Sequence, residues 1–158
     1  MVSSKGKQRR PADVRASRAS NTRDTSDAVD YEALARFRYE LRKFQAFSKA
    51  AANKAGLTPQ QHQALLTIRG FSNRGPVSVG DLAEFLLIRH HTAVELMDWM
   101  TKLGLLNRIV DEADGRRVFM KVTREGERRL RKLSKIHFEE LRAIGPTLTR
   151  ILKPFRQF

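Results

Sequence analysis

Cysteine is absent from this 158-residue chain, which excludes a disulfide framework, a thiol nucleophile, cysteine-based redox sensing and a thiolate zinc cluster. Histidine is scarce: His62, His90, His91 and His137 are the only imidazoles, and no His-Glu-x-x-His, Gly-x-Ser-x-Gly or phosphate-cradling glycine loop occurs. His91 and Glu95 have i, i+4 spacing, but two ligands make a poor metal site. An enzyme would need a nucleophile or cofactor site that these residues do not supply, so no catalytic residue, cofactor or metal is expected. No apolar run approaches the ~20 residues of a membrane helix. The basic N-terminus is not followed by the apolar core of ~7 to 15 residues that a secretory signal needs. The expectation is a soluble, cytoplasmic chain with no membrane contact.

Acidic residues are in deficit, 17 against 31 Lys and Arg, for a formal charge of +14. Such an excess points to phosphate-bearing partners, nucleic acid ahead of an anionic membrane surface. The length suits one domain with a core, plus an arm.

The arm is residues 1–27, where seven basic residues face three acidic ones, with serines between and almost no large apolar side chain. Such a segment cannot bury enough surface to offset its ordering entropy, and reads as a disordered basic arm. It is either a phosphate or minor-groove contact or a solvated tail. From Asp30 the pattern changes. Leu34, Phe37, Leu41, Phe44, Ser48, Ala51 and Ala55 step by three and four, which predicts a helix over 31–54 ending at Gly56. Thr58-Pro59-Gln60-Gln61 predicts a helix with Thr58 as N-cap, Pro59 in its first position and Gln61 closing a capping box. It carries Leu65, Leu66 and Ile68 and stops near Gly70, before a loop from Phe71 to Pro76.

Ser78 can cap a short helix holding Leu82, Ala83, Phe85 and Leu86, and a turn through Leu87-Ile88-Arg89 leads to another helix from about His90 to Lys102. Ala93, Leu96, Met97, Met100 and Leu103 give that helix an inward face. Two short helices joined by a tight turn match a helix-turn-helix, whose second helix reads a major groove with its N-terminal residues. Arg89, His90, His91, Thr92 and Glu95 are then the candidate contacts. Arginine suits phosphate or guanine, imidazole can donate to guanine N7, threonine offers a hydroxyl and a methyl, and glutamate accepts from cytosine N4. A solvated face with a His91–Glu95 pair is the plainer alternative. Beyond Gly104, Asn107-Arg108-Ile109-Val110 and Val118-Phe119-Met120-Lys121-Val122 flank an Asp114-Gly115 turn signal. The resulting hairpin anchors Val118, Met120 and Val122 and projects Arg116 and Arg117 as a wing whose guanidinium suits a narrow minor groove.

The run from Leu82 to Leu130 resembles the MarR family of winged helix-turn-helix transcription regulators. The matching landmarks are Leu82-Ala83, Met100-Thr101-Lys102-Leu103-Gly104-Leu105-Leu106, Arg108, Asp114-Gly115-Arg116-Arg117 and Val122-Thr123-Arg124-Glu125-Gly126. The similarity in helix order covers about residues 28–158. The resemblance implies a mainly α fold with a small β-hairpin wing, in which Asp114 orients Arg116 for the minor groove. The chain departs from the family in opening its recognition helix with His90-His91 instead of small hydroxyl residues, and in placing Trp99 where arginine is usual. Trp99 is expected to pack under the wing.

Thr123 can cap a last helix with Leu130, Leu133, Ile136, His137 and Leu141 on its apolar side. Arg124, Arg128, Arg129, Arg131, Lys132 and Lys135 lie opposite and read mostly as a solvated face, while His137 reads as a satisfied core histidine. Gly145-Pro146 is expected to break this helix before a stripe of Leu148, Ile151, Leu152, Phe155 and Phe158. In MarR-like proteins the terminal helices interlock across a two-fold axis. The resemblance therefore implies a homodimer, with 28–56 and 124–158 as dimerisation helices and 58–123 as the DNA-binding core. A pseudo-palindromic operator in double-stranded DNA would follow, with half-sites ~10 bp apart. It also implies a small-molecule effector, whose pocket would fall near Phe44, Phe47, His62, Leu66 and Trp99, residues that ordinary core packing also accounts for. The competing reading is a sequence-indifferent RNA- or ribosome-associated basic protein.

Overall fold

The structure, a computed structural model, describes residues 30–111, 114–115 and 118–156; the basic arm, Arg116, Arg117 and Phe158 lie outside the described residues. Helix α1 spans Tyr31–Lys54, α2 Pro59–Phe71, strand β1 Val77–Ser78, α3 Val79–Leu86, α4 His90–Lys102, β2 Leu106–Val110, β3 Val118–Val122 and α5 Arg124–Leu152. This is the expected mainly α winged architecture, with one addition. The two-residue β1 pairs antiparallel with β3, Val77 opposite Met120, so the hairpin becomes a three-stranded sheet of order β1-β3-β2. Two residues carry too little periodicity to announce a strand.

The helix starts follow local chemistry. Asp30 accepts from Ala33 N at 2.9 Å. Thr58 accepts from Gln61 N, and the Gln61 side chain accepts in return from Thr58 N at 2.9 Å; Ser78 and Asp81 close a second such box. Each satisfies backbone N–H groups that a helix leaves orphaned, worth about 1 kcal/mol per cap. Gly104, at φ 68°, turns the chain out of α4.

The core lies where α2, α3, α4, the sheet and α5 converge, on Leu65, Leu82, Met97, Met100, Leu105, Leu106 and Leu133, each at most 1% exposed. Ala93, Met97 and Met100 form the buried side of α4, whereas Leu103 is 46% exposed because it caps the helix and leaves its inward stripe. In β3, Met120 is buried and Val118 and Val122 are half-buried on the expected face, yet Phe119 on the other face is buried too.

Pro146 does not break the last helix: α5 runs unbroken for 29 residues with Pro146 inside it. Proline forfeits one backbone hydrogen bond but its φ is already helical. Apolar burial on both sides of it, at half-buried Ile144 and Leu148 and at Ile151, 8% exposed, continues the helix beyond the residue.

Against α1, α5 builds a cluster of rings. Phe44 and Phe47 approach His137 edge-on, with centroids 5.9 and 5.5 Å away, and His62 stands 4.7 Å from it. His137 is satisfied as expected, its Nδ1 2.8 Å from the Leu133 carbonyl and its Nε2 2.9 Å from the Ser48 hydroxyl. His62 is 3% exposed and its Nδ1 has no partner among the described residues. Burial, with a smaller contribution from His137, pushes the His62 imidazole down to about 4.

At the start of α5 the packing is closest. A Cβ added to Gly126 would lie 2.5 Å from the Leu105 carbonyl oxygen, 2.8 Å from Val122 Cγ1 and 3.3 Å from Leu65 Cδ2. Gly126→Ala should therefore lower the unfolding free energy by about 1–3 kcal/mol through overpacking. Gly145→Ala is the control, since a Cβ there meets nothing within 4 Å. Urea midpoints compare the two, and an unshifted midpoint for Gly126→Ala would show that this junction can yield.

His62 sets a pH dependence. Its folded form stays neutral down to about pH 4, whereas in the unfolded chain it takes up a proton below ~6.5. The stability it contributes is thus complete above ~6.5 and declines as pH falls towards 4, by up to roughly 1.4 kcal/mol per pH unit. Urea unfolding of the wild type between pH 7 and 4.5 should show a steeper loss than that of His62→Gln, and equal slopes would refute this assignment.

Candidate nucleic-acid interface

Helix α3 ends on Leu87, the one non-glycine described residue with positive φ, at 53°. Its N–H reaches the Glu84 carbonyl at 3.1 Å, and Ile88 N–H reaches the Ala83 carbonyl at 3.0 Å. A left-handed leucine costs about 1 kcal/mol or more, and this one is also 91% exposed. The turn it makes is tight enough to start α4 three residues later. Sequence reasoning treated Leu87 as a spacer; only the backbone angle shows it to be the pivot of the two helices.

The opening of α4 differs from those of α1, α2, α3 and α5, each capped by the side chain before it. Arg89 occupies the N-cap position without a side-chain hydrogen bond, and no acidic residue lies in the first turn. The free N–H groups and the positive end of the helix dipole are thus presented beside Arg89, His90 and His91, all exposed. Thr92 is half-buried and Glu95 is exposed. The five sequence-derived candidates thus fall at the N-cap and in the first two turns of α4, and no ion pair joins His91 to Glu95 among the described residues. The N–H groups of helix N-termini of this kind donate readily to phosphate oxygens.

On the wing, Asp114 is half-buried and engaged, while Arg116 and Arg117 lie outside the described residues. The link between wing and helix is a contact that sequence reasoning did not identify. Arg108 on β2 pairs with Asp98 on α4, and β2 holds β3 in register from Leu106–Val122 to Val110–Val118. Both partners are about half exposed, so the pair adds little to stability; it joins α4 to β2. The only sequence signal was an acid late in α4 and a base just past the Gly104 turn.

Trp99 does not pack under the wing. It is 56% exposed, because the inward positions of α4 are already filled by Met97 and Met100 and because Asp98 takes the side toward β2. The expected effector pocket is likewise divided: Phe44, Phe47 and His62 join the ring cluster with His137, but Leu66 is 50% exposed and Trp99 stands apart. Among the described residues no group of three or more His, Asp or Glu side chains could hold a metal ion, and no helix is long and apolar enough to cross a membrane.

Residues 55–117 match the model of the MarR family. No curated protein matches this chain. Solved structures do: MepR, a transcription regulator of the Staphylococcus aureus multidrug efflux pump MepA, aligns with a TM-score of 0.65 at 19% identity over 80% of this chain and 99% of its own. An S. aureus MepR–DNA complex aligns with a TM-score of 0.60 at 19% identity, over 79% and 96%. NadR in complex with 4-hydroxyphenylacetate aligns with a TM-score of 0.62 at 25% identity, over 84% and 89%. The match to the MarR family thus lies in residues 55–117, and the helices and hairpin around that segment share the fold of these solved structures.

Proposed function

We propose that this protein is a dimeric, sequence-specific regulator of transcription that binds double-stranded DNA, and not an enzyme. The observation that carries the reading is the opening of α4, where uncapped N–H groups and the exposed Arg89, His90 and His91 stand above a fully buried inner face of Ala93, Met97 and Met100. A rigid helix so mounted can enter a major groove, with Thr92 in the same turn and Glu95 one turn further along. Asp114, Arg116 and Arg117 at the wing tip are proposed to reach the adjacent minor groove, Asp114 orienting Arg116. The MepR–DNA complex shares the fold, and the net charge of +14 supplies the attraction.

A homodimer accounts for the apolar surface left on the terminal helices. Tyr31, Leu34, Tyr39 and Leu41 on α1, and Phe138, Leu141 and Leu152 on α5, are between 37% and 76% exposed, more than an isolated chain ordinarily leaves in water. Two copies related by two-fold symmetry would present two reading helices to a pseudo-palindromic operator. Response to a small-molecule effector is part of the proposal, supported by the complex of NadR with 4-hydroxyphenylacetate.

Two substitutions test the contacts. His91→Ala should change base preference at one half-site position by about 1–3 kcal/mol, measured by binding to a panel of singly substituted duplexes; a uniform loss would make His91 a phosphate or structural residue. Arg116→Ala should weaken binding and reduce the dependence of log affinity on log salt by roughly 0.9 for a lost phosphate contact, whereas unchanged affinity and slope would remove the wing from the interface.

A further inference from the structure

Leu87 bears two unfavourable features at once. It is the most exposed large apolar side chain among the described residues, at 91%. Its backbone is left-handed at φ 53°, where glycine or asparagine would sit with less strain. A lone exposed leucine needs no explanation. One that is also held in a strained conformation does, because such strain gathers at functional sites. The neighbours do not share the exposure: Leu86 and Ile88 are half-buried, so of three consecutive apolar residues only the middle one is turned outward. Leu86 packs against the core, and the fold of one chain gains nothing from the side chain that follows it. The position is more telling. Leu87 lies two residues before Arg89, the N-cap of α4, at the same end of that helix as the exposed His90 and His91. Backbone hydrogen bonds from Leu87 N–H to the Glu84 carbonyl and from Ile88 N–H to the Ala83 carbonyl hold the turn, so the leucine is presented in a fixed direction beside the opening of α4.

We propose that Leu87 is a base-reading residue that packs on a thymine methyl group of the half-site. The proposal rests on the reading of α4 as a major-groove helix. Among the groups that bases display in the major groove, the thymine methyl is the apolar one, and it is the group on which a leucine gains most by contact. Arg89, His90 and His91 offer charge and hydrogen bonds to phosphates and to guanine; Leu87 adds the contact that none of them makes. The strain at this corner then serves specificity, since a residue better suited to the backbone would have no apolar side chain to present.

Uracil lacks only the methyl of thymine, so replacing the thymines of a duplex selected from a randomised pool one at a time, and titrating each duplex with the full chain, tests the contact. At one position of the half-site the wild type should lose affinity about threefold to fivefold, the worth of one buried methyl. At that position Leu87→Gly should bind the thymine and uracil duplexes equally, and so should Leu87→Asn, whose backbone also accepts the left-handed turn. A role confined to shaping the turn would lower the affinity of both variants for both duplexes and leave the ratio intact, which overturns the contact. A wild-type ratio of one at every position, or a selected half-site without thymine, overturns it as well. The urea midpoint of Leu87→Gly should equal or exceed that of the wild type; a lower one would make Leu87 a stabilising residue and overturn the proposal. A wild type that selects no duplex sequence fails the reading of α4 and takes this contact with it, whereas one that selects a sequence but ignores the methyl fails this contact alone.

Discussion

The structure turns on the contact between the backbone of Leu105 and the first turn of α5. The Leu105 carbonyl accepts from Thr123 N at 3.0 Å, and Leu105 N donates to the Met100 carbonyl at 2.9 Å. The Thr123 hydroxyl donates to the Gly104 carbonyl at 2.6 Å while accepting from Gly126 N at 3.1 Å. Three elements meet there: the end of the reading helix, the start of β2 and the start of the long terminal helix. They come so close that residue 126 has no room for a side chain. The proposed two-fold reading of DNA would need α4 held at a fixed angle to the terminal helices, since half-site spacing is set by that geometry. This junction is where one chain fixes that angle.

From the junction outward, rigidity falls and chemistry is exposed. Met97 and Met100 anchor α4 from below, Asp98 and Arg108 tie it to the hairpin from the side, and the strained turn at Leu87 sets where it begins. What remains at its tip is a helix start with no cap of its own. An uncapped N-terminus is a small stability cost in the free protein. In a protein that meets phosphate it is a binding device, because the ligand completes the hydrogen bonding that the chain leaves open.

Much of this was legible in the sequence, and what was not has identifiable causes. Thr58, Ser78 and Thr123 announced three helix starts because capping is local chemistry, settled within four residues; the cap at Asp30 went unread. The apolar periodicity placed α1, α4 and the hairpin, and His137 was read as a satisfied core residue for the right reason. Failures came where tertiary contacts decide. Pro146 was read as a breaker, but packing beyond it outweighs one lost hydrogen bond. Trp99 was expected under the wing, a place that the Asp98–Arg108 pair and the methionines leave no need to fill. The basic residues of α5 read as a solvated face because periodicity reports which residues share a side and is silent on whether a sheet stands beside that side. Val77, Met120 and Val122 turn part of that face into the wall of a hollow.

On the proposed function, the fixed junction and the open helix start serve a two-fold reader of DNA sequence. Selection of bound duplexes from a randomised pool by the full chain tests this most directly. The expected result is recovery of an inverted repeat whose half-sites lie about 10 bp apart, centre to centre. Recovery of no consensus, with affinity governed by salt and length alone, would contradict it and favour a sequence-indifferent RNA- or ribosome-associated role.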